Sequence, residues 1–290
     1  MSFHKPILVG EVASCTCNII FTSPQSILVE VVVHSEDLQK GREQITNTGW
    51  LWYITICPTC ECPTKSDWEM KQVPQLPIPK DESNLEKYIK AKAKYEKRKA
   101  SSQSSGLDLL DDKESDSEFE TFKQQYTIPD EGQTPSESEQ VLCQMVLPGD
   151  CGKDKVAFGG FVMKLMDNSA GCSAWRHCRT NVVTVAISDM DFTSWVRLGD
   201  LCTIRSKVVF VSSKSIEVEV VASTASAILS NESSDTIVAK GLFTFVSLDS
   251  DGKVLAVPKL RLDTDEDFRK AFAGNKRYLA AKKARQQGSS

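Results

Sequence analysis

A chain of 290 residues with a formal net charge of −4 and 40 % hydrophobic side chains holds apolar mass for one large domain or two small ones. The mild acidity does not suggest nucleic acid, which asks for a basic face, and no run of about 18 apolar residues offers a membrane span. The start, "MSFHKPILVGEVAS", lacks the charged-then-apolar layout of a secretory signal, so the ten cysteines read as reduced thiols of a cytoplasmic protein.

The first predicted elements are strands, and they recur. Residues 3–33, "FHKPILVGEVASCTCNIIFTSPQSILVEVVV", lie over residues 192–222, "FTSWVRLGDLCTIRSKVVFVSSKSIEVEVVA", at an offset of 189. Phe3 falls on Phe192, Gly10 on Gly199, Phe21 on Phe210, Ser26-Ile27 on Ser215-Ile216, and Val29-Glu30-Val31-Val32 on Val218-Glu219-Val220-Val221. With two further residues inserted, "LWYITI" (51–56) lies over "LFTFVS" (242–247). The chain therefore carries two copies of one module. The second copy begins near Val146, so its opening has a counterpart about 45 residues ahead of Met1. Residues 1–62 are expected to be a truncated first module with the later strands only, and an organelle address ahead of Met1 stays open. In "CPTCEC", Cys57, Cys60 and Cys62 lack a fourth ligand at finger spacing. They read as plain cysteines after a strand, with a metal or redox role the alternative.

Residues 63–140 read as a charged helical and disordered linker. "DESNLEKYIKAKAKYEKRKA" (81–100) predicts a charged helix acting as a solvated spacer, and the Ser- and acid-rich "SSQSSGLDLLDDKESDSEFETF" (101–122) predicts disorder. Residues 141–262 read as the complete second module. Gly159-Gly160 opens a helix running to about Cys178, apolar nearly all round and so expected to be covered on most sides. Strands follow. "NVVTVAISD" alternates Val183, Val185 and Ile187 against Thr184, Ala186 and Ser188; "SIEVEVV" sets Ile216, Val218 and Val220 against Glu217 and Glu219. "LCTIRSKVVFV" and "TIVAKGLFTFVSL" complete an antiparallel sheet around the helix, an α+β arrangement. The tail (263–290) predicts a charged surface helix.

Asp167 is the costly residue. Phe161, Val162, Met163, Leu165 and Met166 precede it, and Ala170, Gly171, Cys172 and Ala174 follow. A carboxylate in such a helix costs several kcal/mol unless it is paired or used. It is a catalytic group or a paired structural one. His177 closes the helix, where a cation suits the dipole. Three histidines in all, with no HExxH and no GxSxG, argue against a His-based triad or metalloprotease site.

At "FGGFVMKLMDNSAG", "RHCRTNVVTVAISDMDF" and "SSKSIEVEV" the second copy resembles the cytosolic, brain-type acyl-CoA thioesterase (acyl-CoA hydrolase) family. It is also similar to single-module bacterial relatives that carry Phe-Gly-Gly before the same helix. The resemblance covers the second copy nearly end to end, the later part of the first, and the helices at 81–100 and 265–287. It implies a double hotdog fold, each module a long helix wrapped by an antiparallel sheet. It also implies hydrolysis of long-chain fatty acyl-CoA to free fatty acid and coenzyme A. Asp167 would be the catalytic carboxylate, as general base or nucleophile. Backbone N–H groups of Gly159 and Gly160 would polarise the thioester oxygen, and Phe158, Asn168, Arg176 and Lys214 are substrate-binding candidates. Arg179 and Lys207 are further cations for the coenzyme A phosphates, and Phe161, Leu165 and Met166 candidate lining for the acyl tunnel, or plain core. No cofactor and no metal is implied, coenzyme A being part of the substrate. The expected partners are fatty acyl-CoA and further copies in a homo-oligomer, with no nucleic acid and no membrane span. The family pairs its Asp with an Asn in the loop before the Gly-Gly of a facing module. Here that loop is "LPGDCGKDKVAFGG", with Gly152 where the Asn would stand. The alternative function is therefore a catalytically impaired acyl-CoA-binding or scaffold hotdog protein.

Overall fold

The first long strands carry β-branched runs such as Val31-Val32-Val33, which suit a pleated, half-buried surface. The computed structural model describes residues 1–54, 56–58, 68–70, 72–101, 116–226 and 235–287. Its contacts separate into two units, Met1–Leu109 and Leu110–Ser290.

In the first unit β1 (Ser2–Phe3), β2 (Val12–Thr22), β3 (Ser26–Asp37) and β4 (Arg42–Ile54) pair antiparallel in the order β2-β3-β4-β1. Short strands β5 (Ile56–Pro58) and β6 (Trp68–Met70) pair separately. Cys57 falls in β5, while Cys60 and Cys62 lie outside the described residues, and with them the metal reading of that cluster. Helix α1 (Glu82–Ser101) corrects the spacer expectation. Ala91 is fully buried, and Tyr88 and Tyr95 hold their rings 5.5 and 5.6 Å from Phe21. Lys87 donates to Glu30 of β3 at 2.7 Å. The apolar stripe is only Tyr88, Ala91 and Tyr95, spaced three and four apart, and the surrounding Lys and Glu residues mask it in the sequence.

In the second unit α2 (Asp116–Gln125) corrects part of the disorder expectation, the rest of which lies outside the described residues. Its Phe119 is buried, with its ring 5.9 Å from that of Phe272. There follow β7 (Gln140–Met145), α3 (Gly159–Cys178), β8 (Asn181–Phe192), β9 (Asp200–Val211), β10 (Ile216–Ser226), β11 (Thr236–Leu248) and α4 (Asp265–Gln287). The strands pair antiparallel in the order β8-β11-β10-β9-β7. Ile216, Val218 and Val220 of β10 are fully buried on the face that carries α3. Glu217 and Glu219 point the other way, as the alternation predicts, and α4 answers them. Arg277 reaches Glu217 at 2.5 and 3.2 Å, and Lys270 reaches Glu219 at 2.8 Å. A helix seated on a curled antiparallel sheet is the hotdog module, and the fold is α+β. The helix is covered along one side: Val162, Leu165, Met166, Ala170 and Ala174 are buried, while Phe158, Lys164, Asn168, Cys172 and Trp175 are exposed. That corrects the expectation of cover on most sides.

The repeat extends to single hydrogen bonds. The Ser23–Ser26 turn has an Oγ–Oγ distance of 2.6 Å and the Ser212–Ser215 turn one of 2.7 Å. Gly10 and Gly199, matched in the alignment, both sit at positive φ, 95° and 86°, where glycine avoids the strain a side chain would bring. The outer helices repeat too. Lys87 on Glu30 corresponds to Lys270 on Glu219, and Tyr95 beside Phe21 to Tyr278 beside Phe210. Where α1 has Ala91, α4 has Gly274, and a Cβ there would stand 2.5 Å from Cβ of Phe210. Gly274→Ala should therefore lower the melting temperature. Overpacking costs about 1–3 kcal/mol, against roughly 1 kcal/mol gained by removing a helical glycine; an unchanged or raised melting temperature would contradict the packing described.

Candidate active site

Asp167 is partly buried on α3 and accepts a hydrogen bond of 2.8 Å from the Thr184 hydroxyl of β8. Burial raises its pKa above the ordinary carboxylate value, and the Thr184 bond partly offsets that rise. Alternation alone puts Thr184 on the outer side of β8. A β-bulge reverses this. Thr244 of β11 pairs with Ala186 while Phe245 pairs with Thr184, so Val185 is the extra residue. The bulge turns both Thr184 and the buried Ile187 toward the helix face, opposite Phe245 and Phe243. Thr184 is thus the partner of Asp167 that sequence reasoning missed, because no residue pattern announces a bulge.

The start of α3 is built for approach. Phe158, at the N-cap, forms no side-chain capping bond, and its own N–H donates to the Asp150 carbonyl at 2.9 Å. A Cβ on Gly160 would meet nothing within 4 Å, and one on Gly159 would make ordinary contact, 3.6 Å, with the Phe192 ring. Neither glycine has a positive φ. Nothing in the packing of the described residues asks for glycine there, whereas a bound group approaching the first-turn N–H groups would. The exposed rings of Phe158 and Phe192 flank this entrance. Gly152 lies in the preceding loop, 3.6 Å from the Phe158 ring at its would-be Cβ.

Asp167 and the glycine pair do not converge within one module. Eight residues separate Asp167 from Gly159, about 12 Å along the helix axis. Asn168 is adjacent to Asp167 in sequence but exposed. Arg176 lies at the far end of α3, about 26 Å along the axis from Gly159, where it and Arg179 line an open polar groove of about 500 Å³ with Glu137 and Glu139. Lys214 is exposed in the β9–β10 turn, and Lys207 faces Glu266 at 3.9 Å. The structure gathers none of these cations at the glycine pair. Leu165 and Met166 are core; Phe161, half-buried in the first turn, lies nearer the entrance.

His177 differs from the dipole expectation. It is buried, Nε2 donates to the Pro258 carbonyl at 2.9 Å, and burial lowers its pKa, the carbonyl partly offsetting this. Nδ1 is buried without a hydrogen-bond partner among the described residues, so the ring is neutral. Below the free imidazole value of about 6.5 the unfolded chain takes up a proton that the folded chain resists. Stability should fall as pH drops from 6.5 toward the lowered folded value. Denaturant melts at pH 7.5 and 5.5 should show a smaller loss in His177→Gln; an equal loss would contradict this placement. Burial also pushes the Cys178 and Cys202 thiols up to about 11, which leaves neither a ready nucleophile.

The site is thus a partly desolvated helical carboxylate, held by a hydroxyl, on a helix that opens with two accessible glycines. The model of the Thioesterase superfamily matches residues 154–227. The cytosolic acyl coenzyme A thioester hydrolases of Rattus norvegicus and Homo sapiens are each 32 % identical over 284 residues, 98 % of this chain and 69 % of theirs. An uncharacterised acyl-CoA thioester hydrolase of Bacillus subtilis is 34 % identical over 132 residues, covering 46 % of this chain and 75 % of its own. The chain belongs to the cytosolic acyl coenzyme A thioester hydrolase family. Among the described residues no helix is long and apolar enough to cross a membrane.

Proposed function

We propose that the chain hydrolyses long-chain fatty acyl-CoA to free fatty acid and coenzyme A in the cytoplasm, with Asp167 as the catalytic carboxylate. The observation that carries this is the partly desolvated Asp167 held by Thr184 on an otherwise apolar helix. Ionised, it takes a proton from water as general base or attacks the thioester carbon itself. The carbonyl oxygen gathers negative charge as the tetrahedral centre forms, and N–H groups of Gly159 and Gly160 at the positive end of a facing copy's α3 receive it. Loss of the thiolate leaves the fatty acid. No metal or redox step is needed.

A single thioester cannot meet Asp167 and its own module's glycine pair across about 12 Å, so the glycines belong to the site of a facing module and the working form is a homo-oligomer. The exposed Phe158, Trp175 and Val183 support this. Light scattering after size exclusion should give a mass above one chain; a strictly monomeric enzyme with full turnover would refute it. The chain-length claim is tested by kcat/KM across acetyl-, hexanoyl-, decanoyl- and palmitoyl-CoA. A rise toward palmitoyl-CoA supports it, and a flat or falling series overturns it. Gly160→Ala should raise the melting temperature slightly, by the loss of a helical glycine, and cut turnover at least tenfold, since the added methyl enters open space where substrate would approach.

A further inference from the structure

Strand β2 lies at one edge of its unit's sheet and carries Cys15 and Cys17, both exposed free thiols. The pairing with β3 is unbroken across them, Cys15 opposite Val33, Thr16 opposite Val32 and Cys17 opposite Val31. Two residues apart on a regular strand, they share one face, and their Sγ atoms stand 3.8 Å apart. The repeat shows what this face is in the other module. Cys15 and Cys17 correspond to Ile204 and Ser206, both buried, where Ser206 bonds to Ser169 and Ser173 of α3. In the first module the same positions hold exposed sulfur.

We propose that Cys15 and Cys17 form a two-thiol chelating site for a soft, thiophilic centre, of which a trivalent arsenical is the type. The geometry separates chelation from disulfide formation. Two thiolates bonded at about 2.3 Å lie about 3.8 Å apart on a tetrahedral centre and about 3.4 Å apart on pyramidal trivalent arsenic, where the S–As–S angle is about 95°; the strand holds them at 3.8 Å, so a small side-chain rotation closes them onto the arsenic. A disulfide needs about 2.05 Å between sulfurs and a Cα separation of 4.4–6.8 Å. Residues two apart on an extended strand stand roughly 6.6 Å apart at Cα, at the strained end of that range. The strand therefore presents both sulfurs ready to hold a third atom between them and resists closing them on each other. With an organoarsenic oxide the reaction balances without redox change: two As–S bonds form, the As–O bond breaks, and both thiol protons leave with the oxygen as water. The second As–S bond is intramolecular, so the pair binds more tightly than one thiol by the effective-concentration factor, roughly 10²–10⁴-fold.

The probe is phenylarsine oxide, added in equimolar amount to the folded 290-residue chain, followed by alkylation of the remaining thiols, trypsin digestion and mass spectrometry. The tryptic peptide ending at Lys40 contains Cys15 and Cys17 and no other cysteine, so a bridged adduct there identifies the site. The expected result is that adduct, with both thiols protected from alkylation, and loss of arsenical retention by this peptide in Cys15→Ser and in Cys17→Ser at unchanged melting temperature. Arsenical confined to the peptide holding Cys57, Cys60 and Cys62, or retained on the first peptide by either single variant, would overturn the proposal. So would a Cys15–Cys17 disulfide recovered from the purified chain under mild oxidation before any arsenical binds.

Discussion

Replacing Asp167 by Asn should abolish turnover and raise the melting temperature together. The amide keeps the shape and still accepts the Thr184 hydroxyl bond, so the packing survives. It cannot take a proton or attack carbon, and the loss of a positioned acid–base group is worth about 10²–10⁴ in rate. The stability change has a definite sign. Asp167 has a raised pKa in the folded chain, so between the free carboxyl value of about 3.9 and that raised value the folded state binds more protons than the unfolded one. Stability is lost as pH rises through that window, and at neutral pH the charged side chain is a cost that Asn removes. Thermal melts at pH 7, beside a thiol-release assay, read both effects. A melting temperature that falls with activity would mean Asp167 is a paired structural carboxylate.

The second large effect belongs to Thr184. Thr184→Val leaves the strand's β-branched shape and removes the hydroxyl that donates to Asp167 at 2.8 Å. The carboxylate then loses the bond that holds its pKa down and orients it. Turnover should drop on the order of tenfold or more, the acid limb of the pH–rate profile should move to higher pH, and Thr184→Ser should restore most of both. A structural role alone would lower stability without moving the profile. Thr184 acts through Asp167 and is a positioning residue.

The contrast between these two residues shows how far the chain could be read before folding. Asp167 announced itself because a carboxylate among Met, Leu and Ala has no inexpensive explanation. The repeat was legible because strands keep their register, and Ile216, Val218 and Val220 against Glu217 and Glu219 separated two faces that the structure keeps apart. Thr184 was illegible: a one-residue bulge at Val185 turns it inward, and it comes from the match with β11, which is far away in sequence. The α1 stripe of Tyr88, Ala91 and Tyr95 was hidden for another reason. Three side chains suffice when two are aromatic and meet Phe21 and Trp52, so composition reads as solvated while the packing does not. His177 was misjudged because its burial depends on the Pro258 segment, 81 residues away. The cations Arg176 and Lys214 were grouped by charge, and the helix length then separates Arg176 from the glycine pair.

The most direct measurement is release of free coenzyme A thiol from palmitoyl-CoA by the purified 290-residue chain, run beside Asp167→Ala and beside equilibrium binding of palmitoyl-CoA to both. Turnover by the first and none by the second, with binding retained in both, is the result expected of a hydrolase whose carboxylate is Asp167. Saturable binding by both with turnover by neither would contradict it and leave the acyl-CoA-binding or scaffold function in its place.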